Sequence, residues 1–214
     1  MSFIKEAVAQ VKIIPPFLLI VYVFLLALLT LIAIISEKYN IPFAYFTSDP
    51  TAVLDGHPLV GAISNIGILF WCSTAAVCLF VSTIHRKKGN AIIAKFLLYS
   101  SSLTSVLLID DLFMLHEDLL PIYLHIPQTL IYAAYLSIIL IYFIKFSSMI
   151  LQTEFILLFI ACAFLGLSVG VDIFLSDQNL IYLVEDGFKL FGIITWFIYF
   201  TRLCIAQTIQ LIKS

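Results

Sequence analysis

Charge is scarce in this chain: 11% of its 214 residues are Asp, Glu, Lys or Arg, where soluble proteins carry roughly a quarter. That scarcity excludes a soluble globular domain, a disordered chain and a nucleic-acid binder, each of which needs charge to stay solvated or to bind. Cysteine is sparse too. Cys72, Cys78, Cys162 and Cys204 all fall in apolar runs, and no two share the CxxC spacing of redox or zinc motifs. A disulfide scaffold is therefore excluded, and the cysteines read as small packing residues. Tandem repeats, low-complexity tracts and a polar linker are all missing. What fills the chain instead is apolar: 63% hydrophobic residues, with 19 Phe and 10 Tyr, and a mean hydropathy of +1.13. Those values define the polytopic membrane class.

A helix needs about 20 apolar residues to cross the hydrocarbon layer. That length fits six times, over 13–36, 59–84, 93–117, 127–146, 153–174 and 181–202. The fold class implied is an all-α integral membrane bundle of about six transmembrane helices, forming a single transmembrane domain over 1–214. The first apolar stretch follows Lys5 and Lys12, is too long for a signal-peptide core and ends without a small-x-small cleavage site, so it reads as a retained span.

If the spans alternate, Lys5, Lys12, Arg86, Lys87, Lys88, Lys95, Lys145, Arg202 and Lys213 gather on one side. Lys38 falls on the other, and Lys189 lies inside the sixth span. Cytoplasmic loops collect Lys and Arg, so both termini are expected in the cytoplasm. Asp49, Asp55, Asp118 and Asp177 then sit in outer loops, and the setting expected is a bacterial inner membrane.

Polar residues of five spans fall at one depth. Asp110 and Asp111 come some 15 residues after Lys95, a rise of about 22 Å, which is the outer half of the bilayer. Span five reaches Asp172 there, and span six starts there with Glu185, Asp186 and Lys189. Ser64 and Asn65 on span two, and Gln128 and Thr129 opening span four, join the same layer. His57, His116 and His125 lie at or beyond its outer edge. Six acids, Asp110, Asp111, Glu117, Asp172, Glu185 and Asp186, face one Lys, and such a cluster must take up protons, a metal ion or a cationic ligand.

Regular helical geometry assigns partners within this layer. Glu185 and Lys189 are four apart and are expected to pair. Asp110 and Glu117 share a face, whereas His116 points elsewhere on a regular helix. Ala161, Leu165, Ser168 and Asp172 form one stripe, and Gly166 with Gly170 offers close helix approach. Tyr and Trp near span ends read as interfacial anchors.

The combination Ser64-Asn65-Ile66-Gly67 with Trp71, then Asp110-Asp111-Leu112-Phe113-Met114-Leu115-His116-Glu117, then Glu185-Asp186-Gly187-Phe188-Lys189, resembles a group of small bacterial polytopic membrane proteins without an assigned activity. The resemblance covers most of the chain and implies that these polar positions belong together. A second comparison is with the alkaline ceramidase and adiponectin-receptor superfamily, whose zinc is held by three histidines. That family carries a late His pair, and here no His follows His125.

Three functions compete. The first is a metal-binding membrane protein or metal-dependent enzyme at the outer leaflet, with Asp110, Asp111, His116, Glu117, Glu185 and Asp186 as ligands. It would hold a divalent ion (Mg, Ca, Mn, Fe or Zn) against a lipid head group. Asp111 and Asp172 are its candidate catalytic groups, supported by Lys189, Ser64, Asn65 and His57. The second is an ion or proton channel or transporter using the same acids, alone or across a homo-oligomer. The third is an accessory subunit whose acidic layer meets a partner membrane subunit. The bilayer is a partner in each, and the loop from Glu37 to Pro58 is a candidate lid.

Overall fold

Runs of Leu, Ile, Phe, Val and Ala with few breakers satisfy every backbone group internally only as helices, which is the condition for crossing a membrane. The computed structural model describes residues 20, 22–27, 29–47, 50, 54–57, 59–174 and 179–213. Among these residues the chain is helical, without strands: α1 (Tyr22–Tyr39), α2 (Ala44–Thr47), α3 (Ala62–Lys87), α4 (Ala91–Phe113), a π-helical segment (Leu115–Tyr123), α5 (Gln128–Ile150), α6 (Phe155–Phe174) and α7 (Asn179–Lys213). All but α2 and the π-helical segment are long and apolar enough to span, giving 6 candidate spans with mean hydropathies from 1.5 to 2.4. The chain is an all-α integral membrane bundle. Residues 13–19 of the first expected span, Lys5, Lys12, Asp49, Pro58 and Asp177 lie outside the described residues.

Two differences from the expected spans matter. The span expected over 93–117 stops at Phe113, and the chain then changes winding. The last helix has 35 residues, about 52 Å at 1.5 Å per residue, so it outruns a hydrocarbon core of about 30 Å.

The chain divides into two units, before and after the Val60–Gly61 bond. In the first, the Ser36 hydroxyl donates to the Ile41 carbonyl (2.6 Å), locking the chain as it leaves α1. In the second, α3 packs on α4 and α7, and α6 packs on α7. The α3–α4 turn closes at Gly89, whose φ of +83° suits glycine, and the Ser82 hydroxyl reaches the Ala94 carbonyl across it (2.6 Å). Trp71, Phe96, Leu97, Tyr142, Leu158, Trp196, Tyr199 and Phe200 make the buried core. Large apolar side chains such as Leu69, Phe80, Ile92, Ile144 and Ile156 stay exposed on the outside, as lipid contact allows.

Close helix approach falls elsewhere than expected. A Cβ on Gly192 would lie 2.7 Å from Leu165 Cγ and 3.1 Å from the Ala161 carbonyl, whereas Cβ atoms on Gly166 and Gly170 would meet nothing within 4 Å. The tight α6–α7 crossing therefore needs Gly192, and Gly166 and Gly170 face open space.

Buried hydroxyls fasten the interior. Ser100 pairs with Tyr142 (2.7 Å), Thr153 with Tyr199 (2.9 Å), and the Trp196 indole N–H donates to Thr104 (3.1 Å).

Candidate functional site

The site begins where α4 ends. Met114 adopts φ 48° and ψ 48°, a left-handed conformation that costs a non-glycine residue about 1–2 kcal/mol. Its N–H still returns to the Asp110 carbonyl. Beyond it the chain winds more widely: the Leu119 N–H bonds to the Met114 carbonyl five residues back (3.0 Å). Such π-helical insertions recur at functional sites.

This change of winding turns His116 back onto the helix it has just left. The His116 backbone N–H donates to Asp110 Oδ1 (3.1 Å), and His116 Nδ1 lies 2.6 Å from Asp110 Oδ2. The Tyr135 hydroxyl donates to Asp110 Oδ1 (2.7 Å). His116 Nε2 faces Glu117 Oε1 at 3.3 Å. The expectation that His116 points away from Asp110 is thus overturned, because the helix is not regular there. Burial would lower the His116 pKa, but hydrogen bonds to Asp110 and Glu117 outweigh it and raise the imidazole to about 9. The same hydrogen bond from His116 holds Glu117 below its ordinary range.

Asp111 is engaged by two other helices. Lys189 Nζ on α7 lies 2.8 Å from its Oδ1, and the Trp71 indole N–H on α3 donates to its Oδ2 (2.8 Å). Lys189 therefore pairs with Asp111 and not with Glu185, correcting the expectation from helical spacing. Asp172 on α6 accepts hydrogen bonds from Tyr132 (2.7 Å) and Gln128 (3.3 Å).

These groups share one cavity of about 450 Å³. Asp110, Asp111, His116, Glu117, Asp172, Glu185 and Lys189 supply its polar side, and Leu107, Leu136, Ile139, Leu165, Val169 and Ile173 its apolar side. Trp71, Tyr132, Tyr135 and Trp196 lie on its wall as well. Asp186 and Ser64 instead border a separate small gap beside Asp111 and Lys189. Asn65 does not line the cavity. His57 belongs to the first unit, where its Nδ1 accepts the Leu59 N–H (3.2 Å).

Among the described residues, no group of 3 or more His, Cys, Asp or Glu is arranged to hold a metal ion. Asp110 and Asp111 both direct their oxygens to protein donors.

Tyr132, Tyr135 and Ser168 carry more of the site than their sequence positions suggest. Gln128, Tyr132 and Tyr135 fall at i, i+4 and i+7, one helix face, and that spacing marks the two tyrosines as partners of the acidic layer and not as interfacial anchors. Ser168 is one position of an apolar stripe, yet Gly166-Leu167-Ser168-Val169-Gly170 also has the Gly-x-Ser-x-Gly spacing of hydrolase nucleophile elbows. The segment lies inside α6, without the strand-to-helix turn an elbow requires, so the spacing alone does not make Ser168 a nucleophile.

Fold and site together define a membrane-embedded helical bundle with a largely apolar cavity, acidic on one side, between its spans. Residues 18–203 match the family described as Domain of unknown function (DUF8692), and the chain belongs to that family. No curated protein and no solved structure matches it.

Proposed function

We propose that the cavity is an acid–base site acting on an amphipathic molecule dissolved in the bilayer, with His116 as the proton-carrying group and Asp110 as its positioning partner. The observation that carries this reading is the His116 imidazole held between Asp110 and Glu117 on the wall of a largely apolar cavity. A buried Asp fixes the tautomer and orientation of such an imidazole, and Nε2, facing Glu117 at 3.3 Å, is the nitrogen through which the imidazole and Glu117 exchange a proton with the ligand. The apolar wall accommodates a hydrocarbon tail, and the carboxylates face its polar end. Asp172 and Glu185 are the acids best placed to meet that end, since Asp111 is held by Lys189 and Trp71.

The metal-dependent reading uses the same residues but requires Asp110 and Asp111 to leave their present donors. The acid–base reading requires no rearrangement and is preferred on that ground. Arg86, Lys95 and Lys145 lie toward the ends of their helices remote from Asp110, Tyr132 and Tyr135, and the positive-inside rule then supports a cavity in the outer half of a plasma or bacterial inner membrane, with both termini cytoplasmic.

The test incubates the purified full chain in nanodiscs of total bacterial lipid and follows the lipid pool by untargeted mass spectrometry. A species consumed by the wild type and spared by His116→Gln supports the reading. Elemental analysis of the same preparation separates the two chemistries: stoichiometric metal that is lost in the Asp110→Asn, Asp111→Asn double variant would replace the acid–base reading with the metal-dependent one.

A further inference from the structure

The cavity that houses His116 also says what its ligand should look like. Five carboxylates line it (Asp110, Asp111, Glu117, Asp172 and Glu185) against one lysine and one histidine. The lysine and histidine are already committed, to Asp111 and to Asp110 with Glu117. Glu185 makes no hydrogen bond or ion pair among the described residues, and Asp172 accepts through one oxygen, Oδ2, leaving Oδ1 open.

A second observation is independent of the acids. Ser168 is 5% exposed and lines the cavity, yet its hydroxyl has no partner among the described residues. Other hydroxyls in these helices, Ser73, Thr74, Ser100 and Thr195 among them, return to the carbonyl one turn earlier, the usual fate of a serine inside a helix. Ser168 makes no such bond, so its hydroxyl is free to pair with a ligand in the cavity it lines. Beside it, Gly166 lines the same cavity and leaves the space above its backbone open.

We propose that the ligand is a single-chain amphipath with a cationic amine head, its ammonium group held by Glu185 and Asp172, its tail along the apolar wall, and Ser168 hydrogen-bonding a polar atom near the head. The aromatic rings of Trp71, Tyr132, Tyr135 and Trp196 on the wall suit a cation equally well. A fatty-acid carboxylate would meet uncompensated like charge, and a neutral alcohol would leave Glu185 without a counter-ion. This assignment rests on the acid–base reading only for the location of the site.

The two tryptophans of the chain, Trp71 and Trp196, both line the cavity, so intrinsic fluorescence reports its occupancy. Full-length protein in zwitterionic nanodiscs is titrated with hexadecylamine, hexadecanol and palmitate. The expected result is a saturable change in Trp emission with the amine alone. Glu185→Gln, nearly isosteric, should weaken it about tenfold or more, the cost of one charged hydrogen bond. Ser168→Ala should weaken it by a smaller factor, and Gly166→Leu, which fills open space, should abolish saturation. Palmitate or hexadecanol binding as tightly as the amine, or an amine response unchanged in Glu185→Gln, overturns the assignment. Mass spectrometry of the same samples separates the two claims. Saturable amine binding without chemical change upholds the ligand class and rejects the acid–base reading, whereas conversion of a lipid without amine binding does the reverse.

Discussion

Lys189 reaches across from α7 to Asp111 on α4, at 2.8 Å, and passes over Glu185 one turn earlier on its own helix. The choice follows from what each acid already has. Asp111 is 8% exposed at the side chain and is fixed by the Trp71 indole, so an ion pair there cancels a buried charge. Glu185 borders the cavity and can face water or a ligand. The pair, with Trp71, thus ties α3, α4 and α7 together at the cavity wall while leaving Glu185 available.

Removing one partner of a buried pair leaves the other uncompensated, which costs about 3–5 kcal/mol. Lys189→Met should lower the thermal unfolding midpoint strongly, and adding Asp111→Leu should recover most of the loss. A double-mutant cycle measured by calorimetry in micelles checks this. Equal losses that simply add would show that the two residues are not coupled.

Met114 sustains the turn that delivers His116. Glycine relieves the left-handed strain, so Met114→Gly should leave stability unchanged or raise it by about 1 kcal/mol. Met114→Val should lose about 1–3 kcal/mol, because a β-branched side chain tolerates that conformation poorly. Chemical unfolding of both variants measures the difference.

The glycines of α6 and α7 should respond in opposite ways. Gly192→Ala drives a methyl group into Leu165 and the Ala161 carbonyl, with a loss of about 1–3 kcal/mol from overpacking. Gly170→Ala meets open space and should gain up to about 1 kcal/mol from helix propensity. Parallel thermal melts of the two variants test the assigned crossing.

Linkage gives the pH dependence its sign. The His116 pKa is raised from 6.5 to about 9 by Asp110 and Glu117. Its stabilisation is therefore complete below the unfolded value of about 6.5 and is lost as pH rises through about 9. Wild-type unfolding midpoints should fall between about pH 7 and pH 10 by more than those of His116→Gln, whose remaining decline reports the other titrating groups.

The span count and the gathering of acids from several helices were legible in the sequence, because hydropathy and charge position act over whole helices. Asp110, Asp111, Glu117, Asp172, Glu185 and His116 do share a cavity. Their pairing was not legible: Lys189 could be matched to Glu185 by spacing along one helix, whereas its contact with Asp111 depends on how α4 and α7 pack. The return of His116 depends on a left-handed methionine and a widened helical winding, and neither Gly nor Pro precedes it to signal the break. Tyr132 and Tyr135 share a face with Gln128 and could be placed from that spacing. Asp186, Ser64 and Asn65 fall outside the cavity lining, since residues at one depth on different helices need not face the same interior.

The central claim is tested most directly by NMR of protein labelled with ¹⁵N-histidine in nanodiscs, following the His116 imidazole from about pH 5 to pH 10. The account predicts titration near pH 9 in the wild type, with Nδ1 protonated throughout, and a fall of the midpoint toward or below 6.5 in Asp110→Asn. A wild-type midpoint at or below 6.5, or one that Asp110→Asn leaves in place, would contradict it.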